Sequence, residues 1–218
     1  MKITREGPLV ATSVAVVLLA AVAGTARAAA GLTMAVYHND GGLTTGNDTQ
    51  WINAAAYATS HTPDYTFTNT ADTFQYSTTT NTSAYLGTDA AGAALTDTAS
   101  IDYTLFDANG YLQLTTPGDY TFNVVSSDDA AEVLLNHNGI AANAWTGTYS
   151  LPASATVNLP VGSYPIEVLH WQDWGGASLN LQITGPGTVT YATVIPEPAS
   201  LGLLAAGTLL VLPRRRRA

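Results

Sequence analysis

Val124-Val125-Ser126-Ser127-Asp128-Asp129-Ala130-Ala131-Glu132-Val133-Leu134-Leu135 sets two strand-like apolar runs on either side of a pair of adjacent carboxylates. Neighbouring like charges repel, so a folded domain needs a reason to hold them together. Two readings stand at this point. The pair is a solvated turn between strands, or a cation sits between its side chains.

Strand signals continue on both sides. Ala177-Ser178-Leu179-Asn180-Leu181-Gln182-Ile183 alternates apolar and polar residues, as a half-buried strand requires. Tyr120 to Val124 does the same, and Tyr164, Ile166, Val168 and His170 share one face of another run. Pro165 near the start of that run implies an edge strand or the place where the chain joins a sheet. Asn109-Gly110 and Asn138-Gly139 are hairpin signals, and Pro117-Gly118-Asp119, Leu159 to Gly162 and Gly185-Pro186-Gly187 mark other reversals. Helix-period patterns are missing. From Ile101 onward, strand and turn spacing predicts an all-β fold, an antiparallel sandwich or barrel. Residues 39–100 are rich in Thr, Ala, Asn and Gly; short strands are expected at Thr66-Phe67-Thr68, Thr73 to Tyr76 and Ala84-Tyr85-Leu86. A disordered linker is the alternative there, but regularly placed aromatics favour packing.

Charge narrows the function. All seven Lys and Arg lie at the ends: Lys2, Arg5, Arg27 and Arg214 to Arg217. Of sixteen acids only Glu6 and Glu197 fall outside residues 29–195, so the body carries fourteen acids and no base. Such a body cannot neutralise phosphates, which excludes nucleic acid as a partner. Divalent cations become plausible ligands, against the plainer role of acidic surface in solubility. The absence of cysteine does not argue against export for a β-domain of this size.

Both ends read as addresses. Residues 1–30 have a basic start, an apolar stretch from Leu9 to Gly24 and an A-x-A pattern at Ala26-Arg27-Ala28, which predicts a secretory signal helix removed by signal peptidase. At the other end, Pro196-Glu197-Pro198 precedes a short apolar helix from Ala199 to Leu212 and then Arg214, Arg215, Arg216 and Arg217. That apolar run is shorter than the roughly 20 residues a stable membrane helix needs. The arginines would stay cytoplasmic, leaving the body across the membrane. Residues 196–218 resemble the PEP-CTERM sorting signal of Gram-negative bacteria in all three parts. The resemblance implies recognition by an exosortase-type membrane protease, transient membrane anchoring, and display at the cell surface or release outside the cell.

The body, residues 31–195, resembles the anthrax-protective-antigen-like domain family, a β-sandwich. The resemblance is carried by Gly31-Leu32 to Tyr37, Gly118-Asp119-Tyr120-Thr121-Phe122, Ser127-Asp128-Asp129, Leu159 to Ile166 and Gly176-Ala177-Ser178-Leu179-Asn180-Leu181, in that order. In lectin-like members the paired aspartates are joined by a cis peptide and bind Ca²⁺, whose shell is completed by sugar hydroxyls. The resemblance therefore implies that Asp128 and Asp129 are metal ligands. Calcium takes about six to eight oxygens, which carboxylates and loop carbonyls supply. The segment His170 to Gly176 is expected to complete the site, with Asp173 as third ligand, Gln172 as a weaker candidate and Trp174 offering a flat apolar face to a sugar ring. The chain departs from the family twice: Ala130 stands where a glycine is common, and the second loop lacks an asparagine.

Three functions follow. The first is a non-catalytic carbohydrate-binding module in a glycan or exopolysaccharide setting. The second is a structural protein of a biofilm or exopolysaccharide matrix with no specific sugar site. The third, an enzyme such as a glycosidase, has little to carry it. No G-x-S-x-G, H-E-x-x-H or phosphate-binding loop is present, and neither Asp128 nor Asp129 lies in an evident apolar pocket.

Overall fold

A computed structural model of the chain describes residues 31–38, 54–69, 74–87, 99–144 and 151–194, all within one compact unit. Its elements in chain order are β1 (Thr33–His38), α1 (Ala54–Ser60), β2 (Tyr65–Thr68), β3 (Phe74–Thr78), α2 (Thr82–Leu86), β4 (Thr104–Leu114), β5 (Gly118–Asp128), β6 (Ala130–Leu135), β7 (Asn138–Ala144), β8 (Ser154–Leu159), β9 (Gly162–Gln172), β10 (Ala177–Thr184) and β11 (Val189–Ala192). Among the described residues these strands form two antiparallel sheets. The larger has the order β2-β1-β4-β9-β6-β7, with β11 pairing β4 beyond the end of β1. The smaller has the order β3-β10-β5-β8.

Alternation explains the sandwich. Ile166, Val168 and His170 of β9 and Phe106, Ala108 and Leu112 of β4 lie on the inner face of the larger sheet. They meet Tyr120, Phe122 and Val124 of β5 and Leu179 and Leu181 of β10, all buried. Burying a side chain of this size contributes roughly 1.5–3 kcal/mol, so these strands hold the two layers together. The larger sheet is also covered on its outer side, where Leu105, Leu169 and Trp171 pack with Tyr37 and Ala54 of α1. That second contact explains why β9 carries five consecutive buried residues, Val168 to Gln172, where simple alternation would leave every other one in water.

Several local expectations change. Asn109-Gly110 is not a hairpin turn. β4 runs straight through it, and Gly110 lies so close to the carbonyl of Ala192 that a Cβ there would stand 2.6 Å from that oxygen. The hairpin predicted at Asn138-Gly139 exists, but its two turn residues are Asn136 and His137, at φ 52° and 62°, with Asn138 opening β7. Two central residues of positive φ match the twist of the flanking strands. Ala84-Tyr85-Leu86 is helix rather than strand: Asn81 caps α2 by accepting from the Ala84 N–H at 2.9 Å. Helix α1 was not foreseen either. β9 is a central strand, and Pro165 lies at its start, just outside its ladder with β6.

No helix among the described residues is long and apolar enough to cross a membrane. The signal segment with Ala26 and Ala28, the Pro196-Glu197-Pro198 motif, the apolar run 199–212 and Arg214 to Arg217 lie outside the described residues.

Candidate functional site

Two crossovers between the sheets lie side by side at one rim of the sandwich. β5 of the smaller sheet ends at Asp128 and β6 of the larger begins at Ala130, so Asp129 is the junction. β9 of the larger sheet ends at Gln172 and β10 of the smaller begins at Ala177, so residues 173–176 cross in the opposite sense. The pairings Ala130 with Trp171 and Asp128 with Ser178 bring these crossovers together. A third segment, leading into β4, joins them through the pairing of Thr104 with Gln172.

Backbone hydrogen bonds knit the three. The Asp173 N–H donates to Asp129 Oδ2 at 2.6 Å, and the Trp174 backbone adds a second hydrogen bond to the same carboxylate. The Tyr103 N–H donates to the Asp173 carbonyl at 2.7 Å, and the Gly175 N–H donates to Asp102 Oδ1 at 2.9 Å. Tyr103 holds φ at 56°, a left-handed conformation that disfavours a bulky side chain by roughly 1–2 kcal/mol. Strain of this kind concentrates at sites where the surroundings fix the geometry.

The Asp128–Asp129 peptide bond is cis, as the resemblance to lectin-like domains implied. Ala130 in the position next to it has no positive φ and opens β6 as an ordinary buried strand residue, so the missing glycine has no backbone consequence.

The electrostatics are one-sided. The Asp129 carboxyl is pushed up to about 6, first by burial and then by the charges of Asp128 and Asp173, against the two backbone donors that favour its ionised form. Burial also raises Asp128, while a hydrogen bond with the Asp129 side chain opposes that shift. Asp173 is raised by burial and by Asp102. Four acids thus share a rim in a body without a single Lys or Arg between residues 28 and 213. Two carboxyl groups in hydrogen-bonding contact need a proton or a cation between them.

The donors are oxygens only, which suits a hard ion such as Ca²⁺ and not a thiolate- or imidazole-seeking metal. Among the described residues, however, no three His, Asp or Glu side chains form a ready-made metal-holding group. Asp128 and Asp129 touch, whereas Asp173 reaches the pair through its backbone N–H. The side chains placed to hold an ion are therefore those of the pair, and loop carbonyls would have to supply the rest. Gln172 drops out of the expected set. It is fully buried, shares the inward-facing parity of Val168 and His170, and neither amide atom has a hydrogen-bond partner. Trp174, by contrast, is 72% exposed and stands at the rim beside Asp173. Tyr103, 37% exposed, is a second aromatic on the adjoining segment.

Sequence reasoning missed Asp102, Tyr103 and Tyr85. Asp102 and Tyr103 reach the rim only because β4 pairs with β9, a long-range fact that no local signal carries. Tyr85 donates its hydroxyl to His170 Nδ1 at 2.8 Å, and His170 Nε2 lies 3.0 Å from the Asp128 carbonyl. The alternation that placed His170 on an inner face was the available hint.

Comparison with known proteins agrees with this architecture. The family model described as the GLEYA domain matches residues 103–185, from the start of β4 to the end of β10. Among solved structures, a PA14 sugar-binding domain from an RTX adhesin superposes with a TM-score of 0.58 at 19% identity, covering 75% of this chain and 98% of that one. The PA14 domain of the antifreeze protein MpAFP gives 0.56 at 22% identity, covering 77% and 93%. The Epithelial Adhesin 6 A domain of Candida glabrata, solved in complex with Galb1-3GlcNAc, gives 0.57 at 18% identity, covering 79% and 91%. No curated protein matches the chain in sequence. The described body of this chain is a PA14-like β-sandwich.

Proposed function

We propose that this protein is an exported, non-catalytic carbohydrate-binding module that engages a glycan or exopolysaccharide at its loop rim with the help of Ca²⁺. One observation carries the reading: Asp128 and Asp129 hold their carboxyl groups in contact at a sheet-to-sheet junction, in a body with no basic residue to neutralise them. Bound calcium would supply a positive centre to which vicinal sugar hydroxyls coordinate. The chain's own residues do the rest. Asp128 and Asp129 present carboxylate oxygens. The N–H groups of Asp173 and Trp174 hold the Asp129 carboxylate in place. Asp102 ties the second loop down through Gly175. Trp174 offers an exposed indole face for a sugar ring. The sugar ligands of the Candida glabrata adhesins on the same fold support the partner class.

Export by signal peptidase cleavage near Ala28 and sorting of the 196–218 tail by an exosortase-type protease complete the proposal. They place the module at the cell surface or in the extracellular matrix. Titration calorimetry with Ca²⁺, followed by a glycan array with and without chelator, tests the reading; no calcium heat and no glycan signal would remove it. A second reading, a matrix protein with no specific sugar site, is favoured by the lack of three converging metal-ligating side chains among the described residues. It predicts a silent array and cell aggregation unaffected by Asp128→Ala.

A further inference from the structure

A histidine buried between two apolar sheet faces must find partners for both ring nitrogens, or the desolvation of each unmet group disfavours the fold. His170, 1% exposed, finds both. Its Nε2 lies 3.0 Å from the Asp128 carbonyl, which can only accept, so Nε2 carries the proton. In the neutral ring Nδ1 is then the acceptor, and the Tyr85 hydroxyl donates to it at 2.8 Å. Burial drives the histidine down to about 4 and the tyrosine well above its ordinary range, so each keeps this protonation state at neutral pH.

The surrounding rings leave little freedom. Tyr85 and His170 stack with centroids 5.3 Å apart and planes 8° from parallel, and Phe106 lies 5.8 Å from the histidine and 4.6 Å from the tyrosine. Tyr85 is itself held by α2, which Asn81 caps at one end and Gly87 closes at the other. The chain of contacts thus begins at a capped helix, passes through a strand of the larger sheet and ends on the last carbonyl of a strand in the smaller sheet. That carbonyl belongs to the peptide joining the two aspartates.

We propose that Tyr85 and His170 are positioning residues for the rim: by fixing the Asp128 carbonyl they set how the aspartate pair faces a bound cation. This rests on the calcium reading given above. Neither residue touches the ligand, and each acts through the peptide between Asp128 and Asp129. Groups that orient metal ligands in this way typically account for 10–100-fold in metal affinity.

The test compares the full chain with three variants by calcium calorimetry, with melting curves run in chelator. His170→Gln keeps an N–H donor close to the position of Nε2 but cannot stack. His170→Phe keeps a stacked ring of similar bulk but has no donor. Tyr85→Phe keeps all rings and removes only the hydroxyl. Positioning predicts about tenfold or greater loss of calcium affinity for His170→Phe, a smaller loss for Tyr85→Phe, and near-native affinity for His170→Gln. A packing role predicts the reverse order, with His170→Phe retained and His170→Gln impaired, and that result overturns the inference. If His170→Phe does not fold, Tyr85→Phe decides alone, since unchanged calcium affinity there also overturns it. A native chain that takes up no calcium removes the underlying reading; native uptake unaltered in both phenylalanine variants removes this inference only.

Discussion

The Asp173 N–H and the Asp129 carboxylate meet at 2.6 Å, across the two crossovers that carry the chain between its sheets in opposite directions. Residues 44 positions apart in sequence are thereby locked into one rim, and the acid at the centre of that rim is surrounded by acids. Backbone donors orient the carboxylate without cancelling its charge. This arrangement discriminates between the roles of the two loops: the first brings the charge, the second brings the frame.

Neutralising the pair separates binding from stability. Asp128→Asn and Asp129→Asn should each reduce calcium affinity by at least tenfold, since each removes one of the few charged ligands. In chelator the same variants should melt at the native temperature or slightly above it, because a like-charge contact is relieved. Native protein should gain stability from calcium in proportion to ln(1 + [Ca²⁺]/Kd), about 2.7 kcal/mol at a hundredfold excess over Kd. Thermal melts across a calcium series measure both. A calcium-independent melting temperature contradicts the reading.

Protons should compete with calcium at Asp129. Without the ion its carboxyl is pushed up to about 6, so above that pH it is ready to bind and below it a proton must leave first. Calcium affinity should therefore be level above about pH 7 and decline as the pH falls through 6, with up to about tenfold lost per pH unit. Proton release on binding should appear at pH 5.5 as a dependence of calorimetric heat on buffer ionisation enthalpy. An affinity that is flat from pH 5 to 8 rules Asp129 out as a ligand.

Trp174 should matter to sugar and not to the fold. With 72% of its surface exposed, Trp174→Ala removes little packing, and such surface changes usually move stability by less than about 0.5 kcal/mol. Loss of an aromatic platform should weaken glycan binding several-fold while calcium affinity stays native. Array intensities and calcium titrations on the same preparation check this. Equal loss of both would mean that Trp174 shapes the cation site itself.

The legible parts of the sequence were those with a short-range physical signature. Alternation in Ala177 to Ile183 gave β10, and Asp128-Asp129 between two strand-like runs gave the junction of β5 and β6. Asn109-Gly110 misled because glycine can report a crowded backbone as well as a turn: at Gly110 the crowding comes from Ala192, more than eighty residues away. Asn138-Gly139 was misplaced by two residues because Asn136 and His137 also tolerate positive φ and the preceding strand ended sooner. Gln172 looked like a ligand by proximity to Asp173, yet β9 continues to Gln172 itself and directs it inward. The Tyr85–His170 contact lay beyond reach, since it needs a helix within a Thr- and Ala-rich region and a partner 85 residues on.

A carboxyl away from the rim offers a test of the fold free of any ligand. Asp107 on the outer face of β4 is 6% exposed and is pushed up to about 7, chiefly by burial and then by Glu167, with only Asn109 offering its amide in compensation. Its Oδ1 is buried without a partner. In the unfolded chain the same group titrates near 3.9. The folded state therefore holds the proton more tightly. Its contribution to stability is fully present below about pH 4 and is lost as pH rises through 7. Asp107→Asn replaces the acid with a neutral group of the same shape, so it should leave stability unchanged at pH 4. The gain should grow between pH 4 and 7 and level off above, at about 4 kcal/mol. Urea unfolding of native and variant chains at pH 4, 5.5 and 8 gives the three differences. An equal difference at pH 4 and pH 8 would show that the substitution acts through packing, and that Asp107 titrates in the folded protein as it does in the unfolded chain.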